Sequence, residues 1–134
     1  MASKVNLKII QPDRTKLVGE YDHIIIPGEE GDFGVYPDHT PLITRIRPGE
    51  LSLYTGEQIT RYAVHDGFVT IDTDVVTIVC EVVEQDIEID LKRAEESKGR
   101  AEERMKQSTS SEVDFRRAEL ALKRALVRIN ISNN

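Results

Sequence analysis

The residues whose type and spacing could do chemistry are arginines of the last third of the chain: Arg93, Arg100, Arg117, Arg124 and Arg128. At about 100° per residue on a helix, Arg117, Arg124 and Arg128 fall within a few tens of degrees of one another, and Arg93 lies over Arg100 one heptad on. A guanidinium is a planar fork of donors that suits phosphate and carboxylate. A cluster of them points to a nucleotide or to an acidic partner surface. The plainer reading is a solvated face, with Glu95, Glu96, Glu102, Glu103 and Glu119 paired to these arginines at helical spacings.

Two amphipathic helices between Asp90 and Arg128 must position them. In the second, Phe115, Ala118, Leu122, Ala125 and Ile129 recur at steps of three and four and lay an apolar stripe along one face. The first carries a thinner stripe of Leu91, Ala94, Ala101 and Met105. Between them Gln107 to Ser111 is polar, and Ser111 followed by Asp114 reads as a capping start for the second helix. The expected unit is a helical hairpin, which on folding could bring the guanidinium groups together.

Composition bounds the rest. A length of 134 residues suits one domain with an appendage. There is no run of 18 apolar residues and no signal-like start, so a soluble cytosolic chain is expected. Cys80 is the one cysteine, set among Val79, Val82 and Val83. A buried thiol is expected, with no intrachain disulfide and no structural zinc cluster. The net charge of −6 is uneven: residues 1–84 hold 7 Lys/Arg against 14 Asp/Glu, and residues 85–134 hold 11 against 10. An acidic first part argues against nucleic acid as a partner and leaves the helical part to recognise something anionic.

Before Glu84 the period is two. Val5, Leu7 and Ile9 alternate with polar residues and stop at Pro12-Asp13. Apolar runs follow at Ile24–Ile26, Val35-Tyr36, Leu42–Ile46, Leu51–Tyr54, Ile59–His65, Phe68–Ile71 and Val75–Val83. Turns are expected at Pro27-Gly28, Pro48-Gly49, Thr55-Gly56, Asp66-Gly67 and Asp72–Asp74. The fold class is therefore mainly β plus α: an antiparallel β-sandwich over residues 1–86, then a two-helix hairpin over 87–134. The glycine-rich stretch from Gly28 to Leu42 precedes no helix, so it is no phosphate loop. Its acids Glu29, Glu30, Asp32 and Asp38 make a negative edge, either a plain hairpin tip or a docking surface for a basic partner.

GDFGVYPDHTPLI at residues 31–43, DGFVTI at 66–71, IDLKRA at 89–94 and FRRAELALKRALVRI at 115–129 follow one another in an order that resembles the epsilon subunit family of F-type ATP synthases. The resemblance spans nearly the whole chain. It implies a non-catalytic rotor component of the central stalk, docked on the gamma subunit and the membrane c-ring and coupling proton flow to ATP synthesis. Its C-terminal hairpin would restrain hydrolysis by reaching the alpha/beta catalytic hexamer. Localisation would be peripheral, at the cytoplasmic face of the bacterial plasma membrane, with the membrane met only through the complex. By the same resemblance Glu30 and Asp32 would face the c-ring and His39 the gamma contact. An exposed apolar gamma-binding face would also let the isolated chain self-associate.

A subset of that family binds ATP as a regulatory ligand, with or without magnesium, through Ile/Leu-Asp-x-x-Arg-Ala. The motif stands complete here at Ile89, Asp90, Arg93 and Ala94, and the family's accessory positions match Glu84, Arg100, Arg124 and Arg128. Beside each role stands a simpler one. Asp90 suits the N-cap of the first helix, Ala94 is a small packing residue, and Glu84 is a charged strand end. Many relatives have Gly-Gly-Phe where this chain has Asp66-Gly67-Phe68. A stand-alone enzyme finds no Ser/His/Asp set, catalytic carboxylate pair or metal cluster, and neither His39 nor His65 reads as an acid/base residue.

Overall fold

The computed structural model describes residues 4–72, 75–107 and 112–132. Two compact units divide the chain, Met1–Gln85 and Asp86–Asn134. The described residues of the first form eight strands: β1 Val5–Gln11, β2 Arg14–Tyr21, β3 His23–Gly28, β4 Gly31–Val35, β5 Leu42–Ile46, β6 Gly49–Thr55, β7 Gln58–Ile71 and β8 Val75–Gln85. They hydrogen-bond in the order β2-β1-β8-β7-β5-β3-β4, with β6 paired to β3 and β7. The pairs are antiparallel except β1 with β8, which run parallel.

Alternation decides which residues meet inside. Val5, Leu7 and Ile9 of β1, Ile24 and Ile26 of β3, Leu51 and Leu53 of β6, Val64, Val69 and Ile71 of β7, and Val76 and Ile78 of β8 are buried in one apolar core. Each such side chain taken from water contributes about 1.5–3 kcal/mol. That sum holds the layers together.

Two departures from the sequence reading have local causes. β2 carries no apolar run: it is an edge strand bonded only along β1, with Val18 71% exposed, so alternation leaves little signal. Asp66-Gly67 is not a turn between two strands but a bend inside β7. There β7 leaves β6, last paired at Val64 with Gly49, and takes up β5, first paired at Gly67 with Ile46. Asp66 takes a left-handed φ of 49°. A Cβ on Gly67 would lie 2.0 Å from the Val79 carbonyl oxygen, so only glycine lets β7 and β8 stay paired through the bend.

The second unit opens with a 3₁₀ turn, Asp86–Glu88, and continues as α1 Leu91–Gln107 and α2 Glu112–Ser132. The two helices pack on each other through alanines. Ala94 and Ala101 on α1, and Ala118 and Ala125 on α2, are buried, each pair one heptad apart. Small side chains let two helix backbones approach closely, which the thin stripe of α1 requires. Of the remaining stripe residues, Leu91, Met105, Leu122 and Ile129 are half-buried, while Phe115 is exposed and Ile131 takes a buried place instead. The polar connection after Gln107, the Ser111 cap expected there, and Thr73-Asp74 lie outside the described residues.

Candidate functional site

The first turn of α1 gathers most of the nucleotide-type motif. Asp90 is the N-cap: its Oδ1 accepts the Arg93 N–H at 3.1 Å and its carbonyl accepts the Ala94 N–H at 3.0 Å. Ile89, half-buried, donates its N–H to the Asp86 carbonyl at 3.3 Å, which closes the 3₁₀ turn against the helix start. Ala94 is buried in the alanine seam. Asp90, Arg93 and Ala94 are thus brought together by the cap itself.

The four arginines divide by exposure. Arg93 and Arg100 on α1 are exposed, and Arg100 donates to Ser97 Oγ at 2.9 Å from one turn away. Arg124 and Arg128, one turn apart on α2, are half-buried, and Nε of Arg124 is shielded from water. Burying a guanidinium is costly unless its donors are satisfied. Half-burial therefore sets Arg124 and Arg128 apart from the exposed Arg93 and Arg100. Glu84 belongs to the other unit, half-buried near the end of β8 opposite Ala63.

Glu30, Asp32 and His39, the residues expected to dock, sit at different places on the β unit. β3 and β4 form a hairpin whose Gly28–Gly31 pair leaves Glu29 and Glu30 as the turn, both exposed. Asp32 is engaged: the Arg47 guanidinium donates to its carboxylate and to the Gly28 carbonyl. His39 lies beyond the far end of β4, in the loop before β5, with Nδ1 2.6 Å from the Thr40 carbonyl oxygen. The length of β4, roughly 15 Å at about 3.3 Å per residue, separates the Glu30 turn from that loop.

Three features were not found from sequence. A recess of about 580 Å³ beside the β7 bend is lined by Glu29, Arg45, Phe68, Val79 and Glu81 among others; none of the nucleotide-motif residues lines it. Register places Arg45, Phe68, Val79 and Ile10 in one row across β5, β7, β8 and β1, with Ile43 in the next. Ile43 at 76% exposed and Phe68 at 52% put large apolar side chains on that outward face, among Arg45, Thr70, Thr77 and Lys8. The signal was present in sequence as Ile43 and Phe68, but only strand pairing shows that they share a face. Last, the His23 ring is stacked between Tyr54 at 4.2 Å and Tyr36 at 4.9 Å, centroid to centroid, on three adjacent strands or their ends.

Cys80 is buried, as its apolar neighbours imply, and burial pushes its thiol pKa up to about 12. That chemistry suits packing, not nucleophilic attack. Among the described residues no group of three or more His, Cys, Asp or Glu is arranged to hold a metal ion, and no helix is long and apolar enough to cross a membrane.

Comparison with known proteins agrees with this division of the chain. Residues 4–86 match the beta-sandwich domain of the ATP synthase delta/epsilon chain, and residues 88–133 match its long alpha-helix domain. The chain is 39% identical over 132 residues to the ATP synthase epsilon chain 1 of Syntrophotalea carbinolica, covering 98% of this chain and 96% of that one. It is 37% identical over 134 residues to the ATP synthase epsilon chain of Desulfitobacterium hafniense, covering all of both. In fold it is similar to a chain of the Euglena gracilis mitochondrial ATP synthase OSCP/F1/c-ring assembly, with a TM-score of 0.87 at 21% identity, covering 100% of this chain and 84% of that one. With both units matched in order and more than a third of its residues identical to full-length relatives, the chain belongs to the ATP synthase delta/epsilon chain family.

Proposed function

We propose that this chain is the epsilon subunit of a proton-translocating F-type ATP synthase, a non-catalytic component of the central stalk. The observation that carries this is identity along the entire length to proteins named as epsilon chains, 37% over all 134 residues in one case. The β unit docks on the gamma subunit and the c-ring and helps couple proton flow to ATP synthesis. The exposed Ile43 and Phe68 on its outward face support a protein partner there, and the Glu29-Glu30 turn supports a polar one. The hairpin restrains ATP hydrolysis by extending toward the alpha/beta hexamer. The chain works peripherally at the cytoplasmic face of the bacterial plasma membrane, held there by the complex.

ATP is the regulatory ligand in this reading, held in the folded hairpin by Ile89, Asp90, Arg93, Ala94, Arg100, Arg124 and Arg128. The donor set fits a polyphosphate, and half-burial of Arg124 and Arg128 supports a role beyond a solvated face. ATP favours the folded hairpin only by its differential affinity for that form. Calorimetric titration of the free chain, with and without magnesium, tests this. Binding that disappears in both Arg124→Ala and Arg128→Ala supports the site.

A second reading keeps the subunit role and gives the arginines to acidic surfaces of the catalytic subunits, with no nucleotide bound. Exposure of Arg93 and Arg100 favours it. Absence of ATP-induced heat in the titration selects this second reading. The subunit role itself is tested by adding the chain to a synthase depleted of epsilon: coupled ATP-driven proton pumping should return and hydrolysis should fall. A chain lacking residues 87–134 should restore pumping without the inhibition. If the full chain changes neither, the assignment is lost.

A further inference from the structure

The β3–β4 turn is tied in three ways to the end of β5 and to Arg47 just beyond it. Glu29 donates its N–H to the Arg45 carbonyl at 3.0 Å, and Arg47 donates its own N–H to the Pro27 carbonyl at 3.0 Å. The Arg47 side chain makes the third tie: one terminal nitrogen donates to the Gly28 carbonyl and the other to Asp32 Oδ1. The two acceptors lie on the two arms of the turn, because Gly28 ends β3 and Asp32 lies in β4. One planar fork therefore spans the base of the Glu29-Glu30 turn. A lysine has its donors on a single nitrogen at the end of a flexible stem and lacks the planar fork that reaches the two arms from two nitrogens.

Packing around the tie leaves little freedom. A Cβ at Gly28 would meet the Phe33 ring at 2.8 Å, and one at Gly49 would meet Pro27 Cβ at 2.5 Å. Pro27 and Gly49 thus bring the turn and the start of β6 into contact. The acids of the turn differ in consequence. Asp32 gives an oxygen to Arg47, whereas Glu29 and Glu30 stand exposed at the tip with no side-chain ion pair to any of the described residues.

We propose that Arg47 is a positioning residue of the c-ring docking end: it fixes the Glu29-Glu30 turn and pairs the charge of Asp32, which stays 59% exposed, so that Glu29 and Glu30, not Asp32, present the docking charge. The inference rests on the docking role given to this end above. Its two halves are read separately. Backbone amide exchange at Glu29, Glu30 and Gly31 of the full chain reads the tie without any partner. Arg47→Lys and Arg47→Met should raise it about five- to tenfold, the range for losing a charge-assisted bond that is partly exposed. Coupling in the reconstituted complex, measured as protons pumped per ATP hydrolysed at low and high salt, reads docking.

Glu29→Gln with Glu30→Gln should lower coupling and flatten its salt dependence. Arg47→Lys should lower coupling with overall unfolding unchanged, and Asp32→Asn should lower it only to the extent that it loosens the turn. Unchanged amide exchange in Arg47→Lys overturns the tie. Loss of coupling in Asp32→Asn with the turn still protected overturns the assignment of Asp32. If the tie behaves as expected but no variant at positions 29, 30 or 47 alters coupling, the docking role of this end is wrong and the positioning role falls with it.

Discussion

Asp90 and Arg93, two members of the same nucleotide-type motif, are joined through the backbone: the Arg93 N–H donates to Asp90 Oδ1 at 3.1 Å, so the motif's acid is also the cap of its helix. Asp90→Ala should destabilise the hairpin by about 1 kcal/mol, and Asp90→Asn by much less because an amide oxygen also caps. Thermal unfolding followed by helical circular dichroism measures both. A variant that keeps the melt but loses ATP binding, as Asp90→Asn would in the nucleotide reading, separates recognition from capping.

Neighbouring positions on α1 should respond with opposite sign. Gly99 is exposed with open space around it, so Gly99→Ala should stabilise the helix by about 0.5–1 kcal/mol. Ala101, buried in the seam, has no such space, and Ala101→Leu should cost about 1–3 kcal/mol by forcing the helices apart. The same helical melt measures both substitutions. Equal and small effects at the two sites would refute the alanine seam.

The bend in β7 makes a second pair of opposed expectations. Asp66 holds φ at 49°, where a side chain costs roughly 1 kcal/mol, so Asp66→Gly should be neutral or slightly stabilising and Asp66→Val destabilising. Gly67→Ala should cost more than about 2 kcal/mol, since its Cβ would lie 2.0 Å from the Val79 oxygen. Chemical denaturation of the sandwich reports all three changes.

Acid should loosen the end of the sandwich opposite the Glu30 turn. The Gly56 N–H, donating to Asp22 Oδ2 at 2.6 Å, holds the Asp22 carboxyl below its usual pKa, and the Lys4 ammonium paired to its other oxygen adds to this. A depressed folded pKa means that this stabilisation is present above the unfolded value, about 3.9, and is lost as pH falls through the lower folded value. Asp22→Asn should therefore flatten the loss of stability below about pH 4 while changing the neutral-pH dependence little. Denaturant midpoints across that range decide it, and an unchanged acid limb would remove Asp22 from the account.

Sequence legibility followed the range of the interactions. The hairpin, the cap at Asp90, the seam alanines and the β alternation are local patterns, readable because 3.6- and two-residue periods repeat within one element. β2 escaped because an edge strand need not alternate cleanly, and the Asp66-Gly67 bend because the same dipeptide serves turns and bends alike.

By itself, then, the order of residues determined the two kinds of secondary structure, where one gives way to the other, and the Ile-Asp-x-x-Arg-Ala spacing at the start of α1, since each depends on neighbours a few positions apart. Tertiary structure alone decided that Arg47 takes Asp32, fifteen residues away, and that Ile43 and Phe68 share one outward face. Those relations depend on which strands pair and in which register, and pairing is set by closure of the whole core, not by any stretch of chain.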